Sequence, residues 1–282
     1  MFLPARDYDL AGTLASGQAF RWQLCNGWWE GIIGSRWVRL QSNGNGISAE
    51  TATPVNEWCW LENYLQVKLD LGAVLATFPD DEPMRTSVAA CRGLRLLRQD
   101  PWECLASFIL SSTKQIVQIQ QIVALLCERF GEPVAVPPGY ELASSFPSAK
   151  RLAAVSEAEL RACKMGFRAP NLRTAAQMIA GGEVDLNRLA ALPAGEARDV
   201  LMQLPGVGPK IADCVLLFAG GFQDAFPLDV WVMKALRRLY FPRRRVTLKR
   251  LRKFSDTYFG PNAGYAQQYL FHYARVHAKL ND

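Results

Sequence analysis

The sequence has few residues that could bind a transition metal. Its 282 residues include only two histidines and seven cysteines, and no two cysteines have a Cys-x-x-Cys spacing. Zinc and iron–sulfur sites need clustered thiolates or imidazoles. We therefore expect no metal and no cofactor, and the odd number of scattered cysteines favours a reducing compartment.

Long hydrophobic runs are also missing. No apolar segment approaches the roughly 20 residues that a membrane-spanning helix needs. The first ten residues, MFLPARDYDL, are too polar for a secretory signal peptide. These absences predict an intracellular protein with no membrane contact, and the sequence shows no internal repeat.

The composition is that of a globular protein. Half of the residues are hydrophobic and 21% are charged, which is far from the low hydrophobicity of disordered chains. The formal net charge is +6 and the isoelectric point is about 9.0. Such a charge suits a polyanion such as nucleic acid, and it equally suits an ordinary soluble basic protein.

Residues from about 18 to 50 predict a β-meander. Asn26-Gly27 separates the segments AFRWQL and WWEGII, and this dipeptide accepts the positive φ angles of a hairpin turn. Gly34-Ser35 leads to a third strand, RWVRLQ, and Ser42 to Gly46 form the next turn. Aromatic residues on strands are more often core than base-stacking surface, and four tryptophans lie here: Trp22, Trp28, Trp29 and Trp37.

The rest of the sequence predicts helices. Asn56 is expected to cap the segment EWCWLENYLQ, and Asp80 or Asp81 a helix that ends near residue 91. Asp100 followed by Pro101 is typical of a helix start, and no convincing strand follows. We predict an α+β fold, with a small antiparallel β-rich domain over residues 1–97 and an all-helical body over residues 98–282.

The segment from Leu204 to Lys210 is the most informative. Its sequence, LPGVGPK, ends one helix, turns at Gly206 and Gly208, and opens the next helix with Pro209. Glycines allow close approach of the backbone, so N–H groups at this turn can face a phosphate. A helix-hairpin-helix clamp on DNA fits this pattern, and a simple tight turn between helices is the alternative.

Lys210 and Asp229 are the candidate catalytic residues. Lys210 falls in the first turn of a helix, where the dipole disfavours a cation by roughly a few tenths of a kcal/mol. Positive potential there favours the neutral amine, the form that can attack carbon. Asp229 is expected both to cap the helix that follows it and to act in catalysis.

Several segments resemble the 8-oxoguanine DNA glycosylases of the helix-hairpin-helix glycosylase superfamily. They follow the family's order over residues 16–271, and the resemblance implies a TATA-binding-protein-like first domain and a glycosylase body with a DNA cleft. It also implies that Lys210 attacks the sugar C1′ to form a Schiff base, and that Asp229 stabilises positive charge on the sugar. The segments are SGQAFRW (16–22), LRLLRQDP (94–101), ECLASFILSS (103–112), LPGVGPKIADC (204–214), PLDV (227–230) and GYAQQYLF (264–271).

The same resemblance implies a pocket for the flipped base. The backbone carbonyl of Gly17 is expected to accept the N7 hydrogen that 8-oxoguanine has and guanine lacks. Leaving such a buried acceptor unpaired costs roughly 1–3 kcal/mol. Gln267 is expected to read the Watson–Crick edge, with the base held between Cys214 and Phe271. By residue type alone, Cys214 and Phe271 are core residues and Gln267 is a surface amide.

Other residues are expected to contact the DNA duplex. Phe167 and Arg168 resemble the family's aromatic–arginine pair, in which the aromatic ring wedges into the base stack and the arginine faces the orphaned base. A solvent-facing arginine beside a core phenylalanine is the alternative. Gly206 and Gly208 are expected to place the hairpin backbone against DNA phosphates.

The sequence departs from the best-known members of the family. Thr113 and Gln118 stand where those proteins have an asparagine and an arginine, and Trp231 stands where they have a phosphate-contacting histidine. We therefore expect a relaxed preference for the base opposite the lesion. A basic run either contacts phosphates or forms a solvated face: Arg243, Arg244, Arg245, Lys249, Arg250, Arg252 and Lys253.

The expected protein is a monomeric bifunctional enzyme whose partner is double-stranded DNA containing 8-oxoguanine. Two alternatives stay open. A glycosylase for alkylated bases or mispaired pyrimidines can activate water and does not need Lys210. A non-catalytic DNA-binding subunit does not need Lys210 and Asp229 together.

Overall fold

The computed structural model describes residues 1–112 and 114–276 and begins with a five-stranded antiparallel sheet. Its strands are β1 (Phe2–Pro4), β2 (Gln23–Cys25), β3 (Trp28–Ile33), β4 (Arg36–Asn43) and β5 (Gly46–Thr51). The strand order is β1-β5-β4-β3-β2, so the first strand pairs with the last. Asn26 and Gly27 have φ angles of 51° and 81°, which confirms the predicted turn between β2 and β3.

One face of this sheet packs on a small core of its own. Leu3, Val38 and Leu40 are fully buried there, together with residues of the helix that follows the sheet. Two of the four tryptophans, Trp22 and Trp37, are buried, while the other two are half-buried. The expectation that these rings serve the core is therefore correct for two of them and partly correct for the rest.

The segment AFRWQL is a strand over its last residues only, since β2 begins at Gln23. The preceding residues leave the sheet and enter the interior between the sheet and the helices. There the ring of Phe20 packs edge-to-face on Phe108, with centroids 5.5 Å apart. This tertiary contact outweighs the strand preference of the sequence.

Helices make up most of the remaining chain. Asp81 and Asp100 cap helices as predicted, since their Oδ1 atoms accept hydrogen bonds at 2.8 Å from the N–H groups of Met84 and Glu103. The helices are α1 (Leu10–Ala15), α2 (Cys59–Leu65), α3 (Leu71–Leu75), α4 (Glu82–Ala90), α5 (Pro101–Leu110), α6 (Ile116–Phe130), α7 (Ala149–Ala153), α8 (Glu157–Leu160), α9 (Ala169–Ala180), α10 (Ala194–Met202), α11 (Pro209–Val215), α12 (Val230–Tyr240), α13 (Leu248–Tyr258) and α14 (Ala263–Val276).

Two local predictions are wrong. Asn56 does not cap α2, which begins at Cys59 without any side-chain cap. The expectation of no strand after Asp100 also fails, because β6 (Pro133–Val134) pairs antiparallel with β7 (Ala143–Ser144). Two-residue strands are too short to show an alternating pattern in the sequence.

The larger core lies among the helices. Residues of α3 and α4, including Leu71, Val74 and Met84, belong to it, whereas Leu97 packs with the sheet. The division at residue 97 therefore stays a prediction. The α+β class, a small antiparallel sheet followed by a helical body, is confirmed. Within the described ranges, no helix is both long enough and apolar enough to cross a bilayer.

Candidate active site

A cavity of about 490 Å³ lies where the helical body meets the loop before β2. Its wall combines the end of α5, the start of α6, the first turns of α11 and α12, and one face of α14. Aromatic rings supply much of the wall. Six of the predicted residues line it together: Gly17, Lys210, Cys214, Asp229, Gln267 and Phe271.

The predicted hairpin joins α10 to α11. Gly206 has a φ of 80°, and a Cβ there would lie 2.8 Å from Asn171 Nδ2, so this turn requires glycine. Leu204 and Val207 anchor the turn because both side chains are buried in the helical core. Pro209 then starts α11, and Lys210 reaches the cavity from its first turn.

The Lys210 side chain is held by three neighbours. Its Nζ donates a hydrogen bond to Ser111 Oγ at 3.1 Å and lies 5.0 Å from the centroid of the Phe108 ring. Cys214, one helical turn further along α11, lies beside it: burial raises the pKa of this thiol to about 12, and the nearby Lys210 charge opposes the rise. Sequence reasoning missed Ser111, since the double serine lies 99 residues before the lysine.

Asp229 caps α12 as predicted. Its Oδ1 accepts a hydrogen bond from the Val232 N–H at 2.7 Å. Burial raises the pKa of Asp229 above its ordinary value of 3.8, while the Val232 bond and the Lys210 charge oppose the rise. The carboxyl group therefore lies at the cavity wall, largely shielded from water, and its Oδ1 atom is hydrogen-bonded to the start of α12.

The loop carrying Gly17 is fixed through its neighbour. Gln18 is fully buried; its side chain donates to the Arg95 carbonyl and accepts from the Leu97 N–H, both at 2.8 Å. The Gln99 side chain in turn donates to the Gln18 carbonyl at 2.6 Å. Gly17 has a φ of 79°, a conformation that L side chains rarely adopt. This network sets the position of the Gly17 backbone at the cavity wall.

Gln267 and Phe271 occupy successive turns of α14 and face the same cavity. Gln267 is only 3% exposed, and its Oε1 atom has no hydrogen-bond partner among the residues that the structure describes. A buried polar atom without a partner is uncommon in folded proteins. The prediction from residue type alone, a surface amide, is wrong for this glutamine.

Those of the predicted DNA-contacting residues that the structure describes do not line the cavity. Phe167 is 63% exposed while Arg168 is 3% exposed, and the guanidinium lies 4.3 Å from the Phe167 ring centroid. This is the reverse of a solvent-facing arginine beside a core phenylalanine. Gln118 accepts a hydrogen bond from the Gln115 N–H at 3.1 Å, which caps α6. Gly206 and Gly208 lie in the hairpin, and Thr113 lies outside the described residues.

Members of the basic run have different surroundings. Arg252 forms an ion pair at 2.8 Å with Asp213, a fully buried carboxylate that Arg198 also contacts at 2.8 Å, so Arg252 belongs to the interior rather than to a DNA surface. A second, shallow depression, here called the basic surface, contains six exposed cations and no carboxylate: Lys234, Arg237, Arg238, Arg243, Arg244 and Arg245.

The glycine hairpin, the lysine beside it and the capping aspartate on a helical body define a class of base-excision DNA repair proteins. Residues 106–259 match the family described as "HhH-GPD superfamily base excision DNA repair protein". Residues 1–105 match the family described as "8-oxoguanine DNA glycosylase, N-terminal domain". The chain belongs to the 8-oxoguanine DNA glycosylase family, whose members are N-glycosylases and DNA lyases.

Relatives match over nearly the whole chain. The N-glycosylase/DNA lyase OGG1 of Arabidopsis thaliana is 30% identical, over 92% of this chain and 75% of its own length. A probable N-glycosylase/DNA lyase of Methanothermobacter thermautotrophicus is 29% identical over 98% and 96% of the two chains. The Clostridium acetobutylicum 8-oxoguanine glycosylase/lyase, solved with DNA carrying cytosine opposite 8-oxoguanine, is 32% identical with a TM-score of 0.90, over 98% and 97%.

Proposed function

We propose that the protein excises 8-oxoguanine from duplex DNA and then cleaves the strand at the resulting abasic site. One observation carries the proposal. A single cavity is lined by the Lys210 amine, the Asp229 carboxyl group and the polar and apolar groups that could contact a base, and these come from four separate parts of the chain. Its volume of about 490 Å³ is ordinary for a small-molecule site. A duplex base can enter such a cavity only after it is flipped out of the stack.

The chemistry follows from the placement of Lys210 and Asp229. The neutral amine of Lys210 attacks C1′, and the glycosidic bond breaks with its electron pair leaving on the base, which then takes a proton. The Asp229 carboxylate stabilises the positive charge that develops on the sugar. Opening of the sugar ring converts the C1′–nitrogen adduct into a Schiff base, which acidifies the C2′ hydrogens. Loss of one of these protons expels the 3′ phosphate by β-elimination.

Recognition of the lesion rests on complementary hydrogen bonds. The Gly17 carbonyl accepts the N7–H of 8-oxoguanine, whereas the lone pair on N7 of guanine would repel it. The unpartnered Gln267 amide oxygen accepts from the Watson–Crick edge of the base. Cys214 and Phe271 enclose the base faces, and the high pKa of the Cys214 thiol keeps that face uncharged at neutral pH.

Phe167 is the exposed aromatic residue that we expect to fill the space left by the flipped base. A large aromatic ring with 63% exposure is costly in water, and insertion between bases removes that cost while offsetting part of the unstacking energy. Arg168, beneath the ring, faces the orphaned base once the ring inserts. The hairpin N–H groups near Gly206 and Gly208 hold a backbone phosphate.

The preference for the opposite base is relaxed in this proposal. Gln118 is committed through Oε1 to the α6 cap, which leaves only its amide N–H₂ to donate. Thr113 has a shorter side chain than asparagine. Neither residue supplies the bidentate contact that discriminates one base edge by roughly 1–3 kcal/mol.

The proposal also covers the partner and the location of the protein. The partner is duplex DNA, the protein acts as a monomer, and its location is the DNA-containing compartment of the cell.

Three labelled duplexes that carry 8-oxoguanine, uracil or 3-methyladenine test the proposed function. The expected result is release of 8-oxoguanine together with strand cleavage, and neither with the Lys210→Gln variant. Excision of uracil or 3-methyladenine alone would favour the glycosylase for mispaired or alkylated bases. Tight duplex binding without any excision would favour the non-catalytic subunit.

A further inference from the structure

Arg275 shares a helix face with the two base-binding residues of α14. Gln267, Phe271 and Arg275 are spaced by four residues, so their side chains lie one above the other on successive turns. All three line the cavity. Arg275 thus places a guanidinium group in a site whose proposed ligand is a flat purine with several carbonyl oxygens.

Two contacts fix the plane of this guanidinium. Nη2 donates a hydrogen bond to the Ala15 carbonyl at 2.8 Å, and Cζ lies 5.5 Å from the centroid of the Phe271 ring. The first contact ties the side chain to the end of α1, two residues before Gly17. The second sets it beside the ring that would cover the flipped base. A planar donor group held at two points is pre-organised for a third hydrogen bond.

The third position is open. Nη1 is buried and has no hydrogen-bond partner among the residues that the structure describes. It lies 3.1 Å from the point that a Cβ on Gly17 would occupy, so it is adjacent to the proposed acceptor of the N7 hydrogen. Burial lowers the pKa of Arg275, and the negative charge of Asp229 opposes the shift. A buried cationic N–H without a partner costs more free energy than a neutral one, so a ligand atom is the expected partner.

We propose that Arg275 Nη1 donates a hydrogen bond to a carbonyl oxygen that flanks N7 of the flipped 8-oxoguanine. The inference rests on the proposed function. The Gly17 carbonyl and Arg275 form an adjacent acceptor and donor, and 8-oxoguanine presents the complementary N7–H with O8 on one side and O6 on the other. Guanine offers a lone pair at N7 and a C8–H instead of O8. A contact from Arg275 to O8 therefore adds specificity to that of the backbone acceptor, whereas a contact to O6, which guanine also carries, adds binding alone.

The test compares two reactions of each variant. Excision of 8-oxoguanine needs the base contact, whereas cleavage at a preformed abasic site has no base in the cavity. Arg275→Met keeps much of the side-chain length and removes every donor, and Arg275→Lys keeps the charge and loses the planar fork. We expect Arg275→Met to slow single-turnover 8-oxoguanine excision by about 10- to 100-fold, the range of one good hydrogen bond to a charged group. Cleavage at the abasic site should change by less than about threefold.

Other outcomes overturn the inference. Equal losses in both reactions would show that Arg275 has a structural or a phosphate-binding role. Thermal unfolding separates these two roles, since only a structural role lowers the melting temperature of the variant. Unchanged excision would show that Nη1 contacts nothing on the base. Failure of the wild-type protein in both reactions would instead contradict the proposed function, so the two failures are distinguishable. Arg98→Met is the matched control, because Arg98 lies outside the cavity, donates to one backbone carbonyl, that of Ala219, and has a pKa lowered by burial, as Arg275 does.

Modified bases identify the oxygen. Sulfur at position 8 weakens an acceptor there, and 8-oxoadenine carries an amino group in place of O6. If O8 is the acceptor, Arg275→Met should narrow the wild-type preference for 8-oxoguanine over 8-thioguanine. If O6 is the acceptor, the variant should narrow the preference over 8-oxoadenine, and the part of that preference that rests on Gln267 should remain. Preferences of the same size in the variant and the wild-type protein would contradict the proposed contact.

Discussion

Lys210 Nζ lies 3.1 Å from the hydroxyl of Ser111, which joins the first turn of α11 to the end of α5. The hydroxyl accepts the hydrogen bond and keeps the amine inside the cavity, where a sugar carbon can reach it. Because Ser111 has no part in the proposed bond formation, its loss should loosen the proposed nucleophile, Lys210, without removing it.

Borohydride trapping tests the nucleophile. A Schiff base reduces to a stable amine, so the wild-type protein should form a covalent adduct with an 8-oxoguanine duplex. Lys210→Gln should form none while it still binds the duplex. Ser111→Ala should retain trapping at a rate lowered by about fivefold, the scale of one hydrogen bond of roughly 1 kcal/mol. An adduct with Lys210→Gln would assign the nucleophile to another residue.

Asp229→Asn separates catalysis from capping. Removal of one group that stabilises developing charge costs roughly 3–4 kcal/mol in other enzymes, or about 10²- to 10³-fold in rate. Asparagine caps helices as well as aspartate does, so the melting temperature should barely move. A large loss of stability with excision intact would reverse the two roles. Single-turnover excision and thermal unfolding of the same preparation measure both.

The raised pKa of Asp229 predicts an acidic limb in the rate profile. The active form is the carboxylate, so excision should fall as the pH decreases through the pKa in the folded protein. Burial places that midpoint above the ordinary value of 3.8. Asp229→Asn has no proton to gain there, so its slower reaction should lack this limb. A ratio of the wild-type rate to the Asp229→Asn rate that stays constant down to pH 4 would contradict the raised pKa, because every other ionisable group is common to the two proteins.

The relaxed preference for the opposite base is measured with four duplexes that differ only at that position. Single-turnover excision opposite cytosine should exceed excision opposite adenine, guanine or thymine by less than about a hundredfold, near 2.7 kcal/mol. Gln118→Arg restores a long bidentate donor and should widen the preference for cytosine. A larger wild-type preference would show that residues other than Thr113 and Gln118 enforce the pairing.

The basic surface predicts a location-dependent salt effect. If its arginines bind phosphates, each lost contact should lower the slope of log K against log salt by about 0.9. A triple variant, Arg243→Gln, Arg244→Gln and Arg245→Gln, should show this with a long duplex. The control removes the same charge from exposed sites outside both depressions: Arg6→Gln, Lys150→Gln and Arg188→Gln. Equal slopes for the two variants would show that only net charge matters.

The buried Asp213 carboxylate predicts a large effect on the stability of the protein. Its carboxylate is fully buried between Arg198 and Arg252, so Asp213→Asn leaves two half-buried cations without their counter-charge. The partly exposed arginines soften the penalty, and we expect a loss of about 2–3 kcal/mol. Glu50→Gln breaks the exposed pair with Arg39 and should cost under about 1 kcal/mol. Denaturant unfolding of both variants provides the comparison.

The sequence predicted local features better than long-range ones. The hairpin and the caps at Asp81, Asp100 and Asp229 follow from residues within one turn of each other, so a linear reading finds them. The buried state of Arg168 and Gln267, and the Ser111–Lys210 bond, depend on segments far apart in the chain. Nothing in the neighbouring residues of Arg275 indicates that the Ala15 carbonyl will hold it.

Short elements were the other source of error. The strand pair β6–β7 was not predicted because two-residue strands are too short to show a hydrophobic period. The tract before β2 has strand composition, yet it crosses into the interior because Phe20 finds a better contact on Phe108 than on the sheet. Tertiary packing overrides propensity at these places.

The fixed position of Gly17 affects how mutation can change the specificity of this enzyme. Every amino acid carries a main-chain carbonyl, so no codon change at position 17 can delete the proposed acceptor. Drift can only displace it, either by forcing a side chain into a backbone that favours glycine or by disrupting the hydrogen bonds of Gln18. The specificity for the base therefore depends on the residues that hold the Gly17 backbone in place. Substitutions at Gln18 or Gln99 should lower this specificity although neither side chain contacts the base in the proposed complex.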